Sequence, residues 1–359
     1  MTVNTFMKTS YSADDVIFLL KDLSDIELEK DTFAREQLIQ QGVHYSTMLP
    51  KEFQPSEAYI ELFHKTLAQY SKRIADAVAV VAEMIVAHKS IDRVVLVSLA
   101  RAGTPIGILI KRYLEQKYKR TVPHYAISIV RDRGIDEVAI RYMLAQHPEA
   151  ELQFVDGWTG KGAITRELTE ACKGLKQQGI ELDDTLAVLA DPGHCSSMYG
   201  TRDDFLIPSA CLNSNVSGLV SRTVLNDDWI HEGDFHGAKY YAHLVDQDVS
   251  NLYIDTIAQH FSETTPDDLT TEPVTWLGMQ SVERIQKKFN IQNTHHIKPG
   301  VGETTRVLLR RVPWKILVNP AHDADLQHIY MLAEERGVPV EVYTDMSYSC
   351  CGLIKELTE

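Results

Sequence analysis

Residues 154–164 (FVDGWTGKGAI) carry the residue types and spacing best suited to chemistry in this chain. An apolar run ends in Asp156, a turn rich in Gly and Thr follows, and a helical pattern begins after Gly162. This order predicts a strand, a loop and a helix N-terminus, where backbone N–H groups and the helix dipole attract an anion. A nucleotide P-loop needs four residues between its first Gly and Gly-Lys, and this loop has two. An ordinary Gly-rich turn without a ligand is an equal alternative for this segment taken alone.

Two further segments have anion-binding character. Residues 98–105 (SLARAGTP) present Arg101 after an apolar run, and residues 131–136 (RDRGID) form a cationic loop around Arg131 and Arg133 that we expect to be mobile. Because the carboxyl ends of parallel strands meet at one edge of a sheet, all three segments are expected in one site. Such a site suits a ligand with two phosphate groups. A tight turn and a solvated charged turn remain the alternatives for the two segments.

The elements that must position these residues alternate along the chain. Periodicity predicts a long helix over 67–85, strands at 94–99, 125–130, 152–156 and 185–190, and helices at 105–115, 135–145 and 162–176. Strands separated by helices of this length form a parallel sheet. After a polar stretch at 262–275 and a helix at 279–289, an αβαβα pattern is predicted, with its helices at 303–311, at 324–336 and at the C-terminus and its strands at 316–318 and 338–343.

Composition narrows the class of protein. The chain has 359 residues, 44% of them hydrophobic and 24% charged, and a net charge of −14. A general non-specific grip on nucleic acid is therefore not expected, whereas a local basic patch stays open. The five cysteines are an odd number without a CxxC pair, which favours reduced thiols in the cytoplasm. No apolar run reaches the roughly 18 residues needed to cross a membrane, so no membrane partner is expected.

The three segments together resemble the type I phosphoribosyltransferases. Asp156 matches the first of that family's two acids, but Gly157 stands where the second is expected. The resemblance implies phosphoribosyl pyrophosphate as a partner and Mg²⁺ as a cofactor. It further implies catalytic roles for Asp156, Arg131 and Arg133, a metal role for Asp156, and phosphate or pyrophosphate binding by Arg101, Ala102, Gly103, Thr159, Gly160, Lys161 and Gly162.

Polar residues after the fourth predicted strand are candidates for an acceptor pocket. They are Asp191, Asn213, Ser217 and Arg222. A loop network that satisfies its own backbone groups is an equally good interpretation of this cluster.

The C-terminal part resembles the Pelota-type domain, which is related to kink-turn RNA-binding ribosomal proteins. Residues 300–306 (GVGETTR) are similar to the signature at the start of the recognition helix in those proteins. The resemblance implies RNA binding by Gly302, Glu303, Thr304, Arg306 and Arg310. A protein-docking module with a basic helix is the alternative.

The combination resembles one bacterial family from tellurite-resistance and stress gene clusters, commonly labelled "cysteine protease StiP". The expected architecture is a type I phosphoribosyltransferase-like parallel sheet flanked by helices (1–265), a linker and helix (266–289), and a Pelota-like α/β sandwich (290–359). The expected function is phosphoribosyl transfer to a nucleobase-like or small-molecule acceptor, with RNA bound by the C-terminal module and a homodimer as a possible assembly. The alternatives are a ligand-sensing RNA-binding protein without turnover, and a cysteine protease that uses Cys195 or Cys211.

Overall fold

The computed structural model describes residues 6–52, 54–264, 269 and 272–355, and the side chains of residues 32, 33, 36, 40 and 310 are not described. Part of the predicted polar linker at 262–275 therefore lies outside the described residues. Among the described residues, no helix is long and apolar enough to cross a membrane.

A six-stranded sheet forms the centre of the N-terminal domain. Its strands are β1 (Ile17–Phe18), β2 (Val94–Leu99), β3 (His124–Ile127), β4 (Glu151–Trp158), β5 (Leu186–Ala190) and β6 (Met198–Thr201). They lie in the order β1-β3-β2-β4-β5-β6, and every pairing is parallel. The central strands are buried on both faces, because helices cover the sheet from either side.

The helices of this domain divide between the two faces of the sheet. They are α1 (Thr32–Gln40), α2 (Glu57–His88), α3 (Gly103–Tyr118), α4 (Glu137–Gln146), α5 (Ala163–Gln177) and α6 (Ser250–Ala258). One apolar core joins α2, α3 and α6 to the sheet, and a second joins α4 and α5 to it. The prediction of a parallel sheet flanked by helices is confirmed.

Short two-stranded ribbons complete the domain. Lys21–Asp22 pairs with Gly237–Ala238, Glu29–Lys30 pairs with Leu49–Pro50, and Ile129–Val130 pairs with Gly134–Ile135. The last pair corrects the predicted strand at 125–130, which ends at Ile127 and is followed by an antiparallel hairpin. The hairpin turn contains Asp132 at φ 65° and Gly134 at φ 80°.

The loop predicted at 131–136 forms a tight turn that contacts α5 in this structure, and its mobility stays a prediction. The backbone N–H groups of Asp132 and Gly134 donate to the Glu167 carboxylate of α5 over 2.8 and 2.9 Å. These bonds attach the hairpin to the helix that follows the Gly-rich loop.

The C-terminal domain is a small mixed sheet with helices on both faces. Its elements are α7 (Leu277–Phe289), β7 (Ile297–Pro299), α8 (Val301–Arg310), β8 (Pro313–Val318), α9 (Gln327–Glu335), β9 (Val340–Val342) and β10 (Cys350–Ile354). The strand order is β7-β10-β8-β9, with only the β8–β9 pair parallel. The predicted C-terminal helix is wrong within the described residues, because β10 is an inner strand buried from both sides.

Buried and half-buried polar contacts join the two domains. Asp204 accepts hydrogen bonds from the N–H groups of Val301, at the start of α8, and Ser349, over 2.9 and 2.8 Å. Nη1 of Arg73, in α2, donates to both carboxylate oxygens of Asp325 at 3.0 and 3.1 Å. The start of α8 is therefore fixed against the N-terminal domain.

Candidate functional site

A cavity of about 590 Å³ lies where β2 and β4 end, and the C-terminal domain forms part of its wall. Six cationic side chains and two carboxylates line it; they are Arg101, Arg131, Lys161, Arg222, Lys298 and Arg306, and Asp156 and Glu303. The volume is in the range of small-molecule sites. Such an excess of cations in a chain of net charge −14 favours an anionic ligand.

The predicted residues separate into two groups in the structure. Arg101, Ala102, Arg131, Asp156, Thr159, Gly160, Lys161, Gly162, Asn213, Ser217, Arg222, Glu303 and Arg306 line the cavity. Arg133, Gly103, Asp191, Cys195, Cys211, Gly302 and Thr304 lie outside its lining, and the side chain of Arg310 is not described.

The cavity begins at Asp156, which is in β4 opposite Val188 of β5. Its carboxylate accepts a 2.7 Å hydrogen bond from the N–H of Gly157. Burial raises the pKa of Asp156 to about 7, although the Gly157 bond opposes this shift. The carboxyl is thus close to half-protonated at neutral pH and is a weak fixed charge.

The carboxylates of the cavity do not make a Mg²⁺ site by themselves. Among the described residues, no group of three or more His, Cys, Asp or Glu side chains could hold a metal ion. Mg²⁺ prefers several oxygen ligands, and Asp156 supplies one carboxylate amid cationic neighbours. Mg²⁺ stays a prediction from the resemblance.

Asp191 lies beneath the loop after β4 and fixes its position through hydrogen bonds. Asp191 is fully buried and accepts hydrogen bonds from the Thr159 hydroxyl, from the N–H groups of Cys195 and Ser196, and from Arg202. Burial raises its pKa even though these donors favour the charged form. The network fixes the end of β4, where the cavity starts.

Gly162 forms the helix end of the same loop and caps α5 at φ 72°. A Cβ atom there would overlap the Trp276 ring and lie 2.8 Å from the Cys195 sulfur. Both the positive φ and the lack of space therefore require glycine. This close approach lets the first turn of α5, whose N–H groups are free of helical partners, border the cavity.

Tyr45 supports the cationic wall and was missed by sequence reasoning. The guanidinium groups of Arg131 and Arg222 lie 5.5 and 5.0 Å from its ring centre, and its hydroxyl accepts from the Arg131 N–H at 2.9 Å. Tyr45 precedes the predicted core elements and belongs to no motif, so the sequence offers no signal for it.

The cations lower one another's pKa values. Burial, followed by Arg35 and Arg101, lowers the pKa of Arg222 to about 10. Burial and Lys298 lower the pKa of Lys161 to about 8. An anion in the cavity would oppose both shifts, so ligand binding and protonation of Lys161 favour each other.

Lys161 also joins the loop to the C-terminal domain. Its ammonium group donates to the carbonyls of Thr294 and Ile297 at 2.8 and 3.4 Å. The Tyr348 hydroxyl, from the same domain, donates to the Gly160 carbonyl at 3.1 Å. The loop is thus held by both domains.

The helix predicted to recognise RNA faces this cavity at its N-terminal end. Arg306 donates to Ala210 O at 3.2 Å and to the Glu303 carboxylate at 2.9 Å, and lies 5.4 Å from the centre of the Trp158 ring. Burial opposes ionisation of Glu303, but Arg306 and Lys298 lower its pKa overall. The predicted roles of this helix in RNA binding stay predictions.

Gly302 of the same helix lies at the domain interface, and Thr304 is buried within the C-terminal domain. A Cβ added to Gly302 would lie 3.3 Å from the Ala210 side chain, and Thr304 is fully buried and donates to Lys298 O at 3.3 Å. Neither residue is exposed to a large ligand in this arrangement.

The thiol nearest the loop belongs to Cys195. Its sulfur is buried and donates to the carbonyls of Gly193 and Gly160 over 3.3 and 3.7 Å. Burial, with Asp191 second, raises the pKa of this thiol to about 12. Cys211 is also fully buried. In this conformation the Cys195 thiol is protonated and shielded, whereas nucleophilic cysteines need an accessible thiolate.

Comparisons with known proteins identify relatives for both domains. Residues 9–258 match the family described as tellurite-like stress resistance cysteine protease StiP, and residues 276–356 match the PELOTA RNA binding domain. The chain is 36% identical over 365 residues to a protein of Acinetobacter baylyi (strain ATCC 33305 / BD413 / ADP1) named Cysteine protease StiP. The aligned region covers 97% of this chain and 94% of that relative.

These matches confirm the resemblance to the tellurite-resistance family and to the Pelota domain. They correct the predicted activity, because the family and the relative are named for a cysteine protease. The assignment as a phosphoribosyltransferase is therefore wrong. The physical reason for the error is that a Gly-rich loop after a strand attracts many anions and does not specify a reaction.

Proposed function

We propose, from the premise that this chain belongs to the StiP family of tellurite-like stress resistance proteins, that its cationic cavity binds a phosphate-bearing ligand. The observation that carries this proposal is the set of six cations around one cavity, which faces two carboxylates. One of these carboxylates, Asp156, loses much of its charge because burial raises its pKa to about 7.

The shape of the cavity favours the end of a ligand over a long polymer. Its volume of about 590 Å³ suits a nucleotide-sized group or a phosphorylated chain end. The match of residues 276–356 to an RNA-binding domain makes RNA the polymer we expect. Arg101, Arg131 and Arg222 would contact phosphate oxygens, since guanidinium groups bind them with paired hydrogen bonds.

Calorimetry with tripolyphosphate tests the proposal without a base or sugar. We expect one site per chain, and about tenfold or greater weakening in Arg222→Gln, because a hydrogen bond to a charged group contributes about 1.5–3 kcal/mol. Arg120→Gln is the control, since its side chain is 61% exposed and pairs with Asp92 away from the cavity. Absence of heat with the wild type, or equal affinity in both variants, would overturn the proposal.

The relative's name favours a second function, cysteine-dependent proteolysis, in which we propose Cys195 as the nucleophile. The supporting observation is its position directly below the loop, with its sulfur 3.7 Å from the Gly160 carbonyl. The sulfur would attack a peptide carbonyl, the C–N bond would break, and the thiol proton would pass to the leaving amine; water would then hydrolyse the thioester to the acid and restore the thiol. Activity would require the loop to move, because the thiol is buried.

Hydrolysis of a labelled casein tests this second function. We expect cleavage by the wild type and by Cys211→Ser, and loss of cleavage in Cys195→Ser. Cleavage that survives in Cys195→Ser would contradict the role given to Cys195, and no cleavage by the folded wild type on any protein substrate would contradict the function.

Three sequence-based expectations stay predictions. These are the type I phosphoribosyltransferase fold as the specific form of the parallel sheet, a homodimer, and a cytoplasmic location. Phosphoribosyl pyrophosphate is one of many phosphate-bearing compounds that the calorimetry can compare.

A further inference from the structure

We propose that a second site, at the outer end of the C-terminal domain, binds single-stranded RNA through phosphate contacts and stacking on Trp314. It is a groove of about 460 Å³ lined by Arg311, Trp314, Arg336, Val338 and Lys355 among others, and it shares no lining residue with the inter-domain cavity. This inference rests on the proposed function in one respect, namely that RNA is the polymer.

Three chain segments build the groove. The ends of α8 and α9 lead into residues 311–314 and 336–339, and Lys355 follows β10. Arg336 donates to the Arg311 carbonyl at 3.3 Å, and the Lys355 N–H donates to the Val312 carbonyl at 3.1 Å. These bonds hold the basic segments side by side.

The charge of the groove selects an anion. Arg311, Arg336 and Lys355 are all exposed, and within the described part of the chain none of them forms a salt bridge. The described lining of the groove contains these three cations and no carboxylate. Phosphates of a polynucleotide would neutralise them and release counterions.

The indole of Trp314 makes the groove suitable for a nucleic acid. The side chain is 38% exposed, and Phe289 contacts it edge to face with 6.1 Å between ring centres. The Lys315 ammonium lies 5.3 Å from the centre of the Trp314 ring, so an unpaired base would stack on the part of the indole that Phe289 and Lys315 leave exposed. An acidic peptide would use the cations but would gain little from an aromatic face.

The position of α8 explains why RNA needs this second surface. At the helix start, Gly302 lies against Ala210 of the N-terminal domain, and Thr304 is fully buried. The opposite end of α8 leads directly into the groove at Arg311 and stays exposed. The basic and aromatic surface that an RNA chain can reach therefore lies at this end of the domain.

Fluorescence anisotropy with a labelled 5′-hydroxyl oligouridylate of about twelve nucleotides tests the site in the full chain. We expect Trp314→Ala to bind about tenfold more weakly, Trp314→Phe to retain most of the affinity, and Trp229→Ala to match the wild type. Trp229 is a fitting control because it is 41% exposed on the N-terminal domain. Arg336→Gln should reduce the slope of log affinity against log salt by about 0.7.

The outcomes separate the two proposals. Trp314→Ala with wild-type affinity and a native circular dichroism spectrum would overturn the groove, as would a wild-type protein that does not bind the oligouridylate. Trp314-dependent RNA binding without tripolyphosphate binding would support the groove and contradict the cavity. Tripolyphosphate binding without RNA binding would do the reverse.

Discussion

The two sides of the loop formed by residues 158–162 present opposite environments. On the cavity side, cations from both domains converge and Asp156 titrates near neutral pH. Beneath the loop, the Cys195 thiol donates to backbone carbonyls and burial raises its pKa to about 12. The chemistry available to a ligand in this conformation is therefore electrostatic, and the proposed attack by Cys195 would require the loop to move.

The reactivity of the Cys195 thiol tests the environment beneath the loop. We expect Cys195 to be alkylated by iodoacetamide at pH 8 about a thousandfold more slowly than a free cysteine, because only a small fraction is thiolate. Peptide mass spectrometry resolves each cysteine, and the urea-unfolded protein supplies the free rate. A native rate within tenfold of the unfolded rate would mean that the thiol is already activated.

Gly162→Ala tests the tight packing of the loop that separates the cavity from Cys195. We expect a loss of about 3 kcal/mol in the free energy of unfolding, since the new Cβ combines a strained positive φ with overlap against Trp276 and Cys195. Urea denaturation measures the change. Gly160→Ala is the matched control, because an added Cβ there meets no atom within 4 Å, and it should cost less than about 0.5 kcal/mol. Equal losses in the two variants would contradict the tight contact.

Two arginines of one hairpin test whether the cavity is a defined anion site. Arg131 lines the cavity, whereas Arg133 is exposed outside it. We expect Arg131→Glu to weaken tripolyphosphate binding about 30-fold, or ~2 kcal/mol, and Arg133→Glu to change it less than about threefold. Calorimetry checks both, and equal effects would point to a long-range charge effect without a defined site.

A smaller effect should appear with pH. Asp156 has a pKa of about 7, so its carboxylate gains charge as pH rises from 6 to 8 and repels an anion. Lys161 has a pKa of about 8 and loses its positive charge above that pH, which acts in the same direction. Sulfate, whose charge is constant over this range, should bind about tenfold more weakly at pH 8 than at pH 6.

Asp156→Asn is the control for the pH dependence. It should remove the step near pH 7 and leave the step near pH 8. A pH profile identical to that of the wild type would show that Asp156 does not face the ligand.

Local patterns predicted the parts of the site that depend on neighbouring residues. The strand, loop and helix around Asp156 lie where the sequence indicated, because an apolar run followed by glycines is a local signal. Tyr45, Lys298 and Arg306 join the cavity from segments far away in the chain, and no local pattern could bring them together. The same limit explains why Arg133 was wrongly expected to line the cavity, since the hairpin turn determines which of the two arginines faces inward.

The C-terminal strand shows where prediction of secondary structure from the sequence failed. Residues 350–354 form an inner strand whose neighbours on both sides come from elsewhere in the domain, so its short apolar run has no helical or alternating period to identify it. The reaction type could not be predicted either, because the loop indicates an anion and not what is done to it.

Anion binding in the cavity is tested most simply with a crystal of the full chain soaked in tungstate, with the anomalous signal recorded at the tungsten edge. We predict a tungstate peak inside the inter-domain cavity, within hydrogen-bond distance of Arg131 or Arg222 and of Lys161. Peaks confined to other surfaces, with the cavity lacking anomalous density at saturating tungstate, would contradict it.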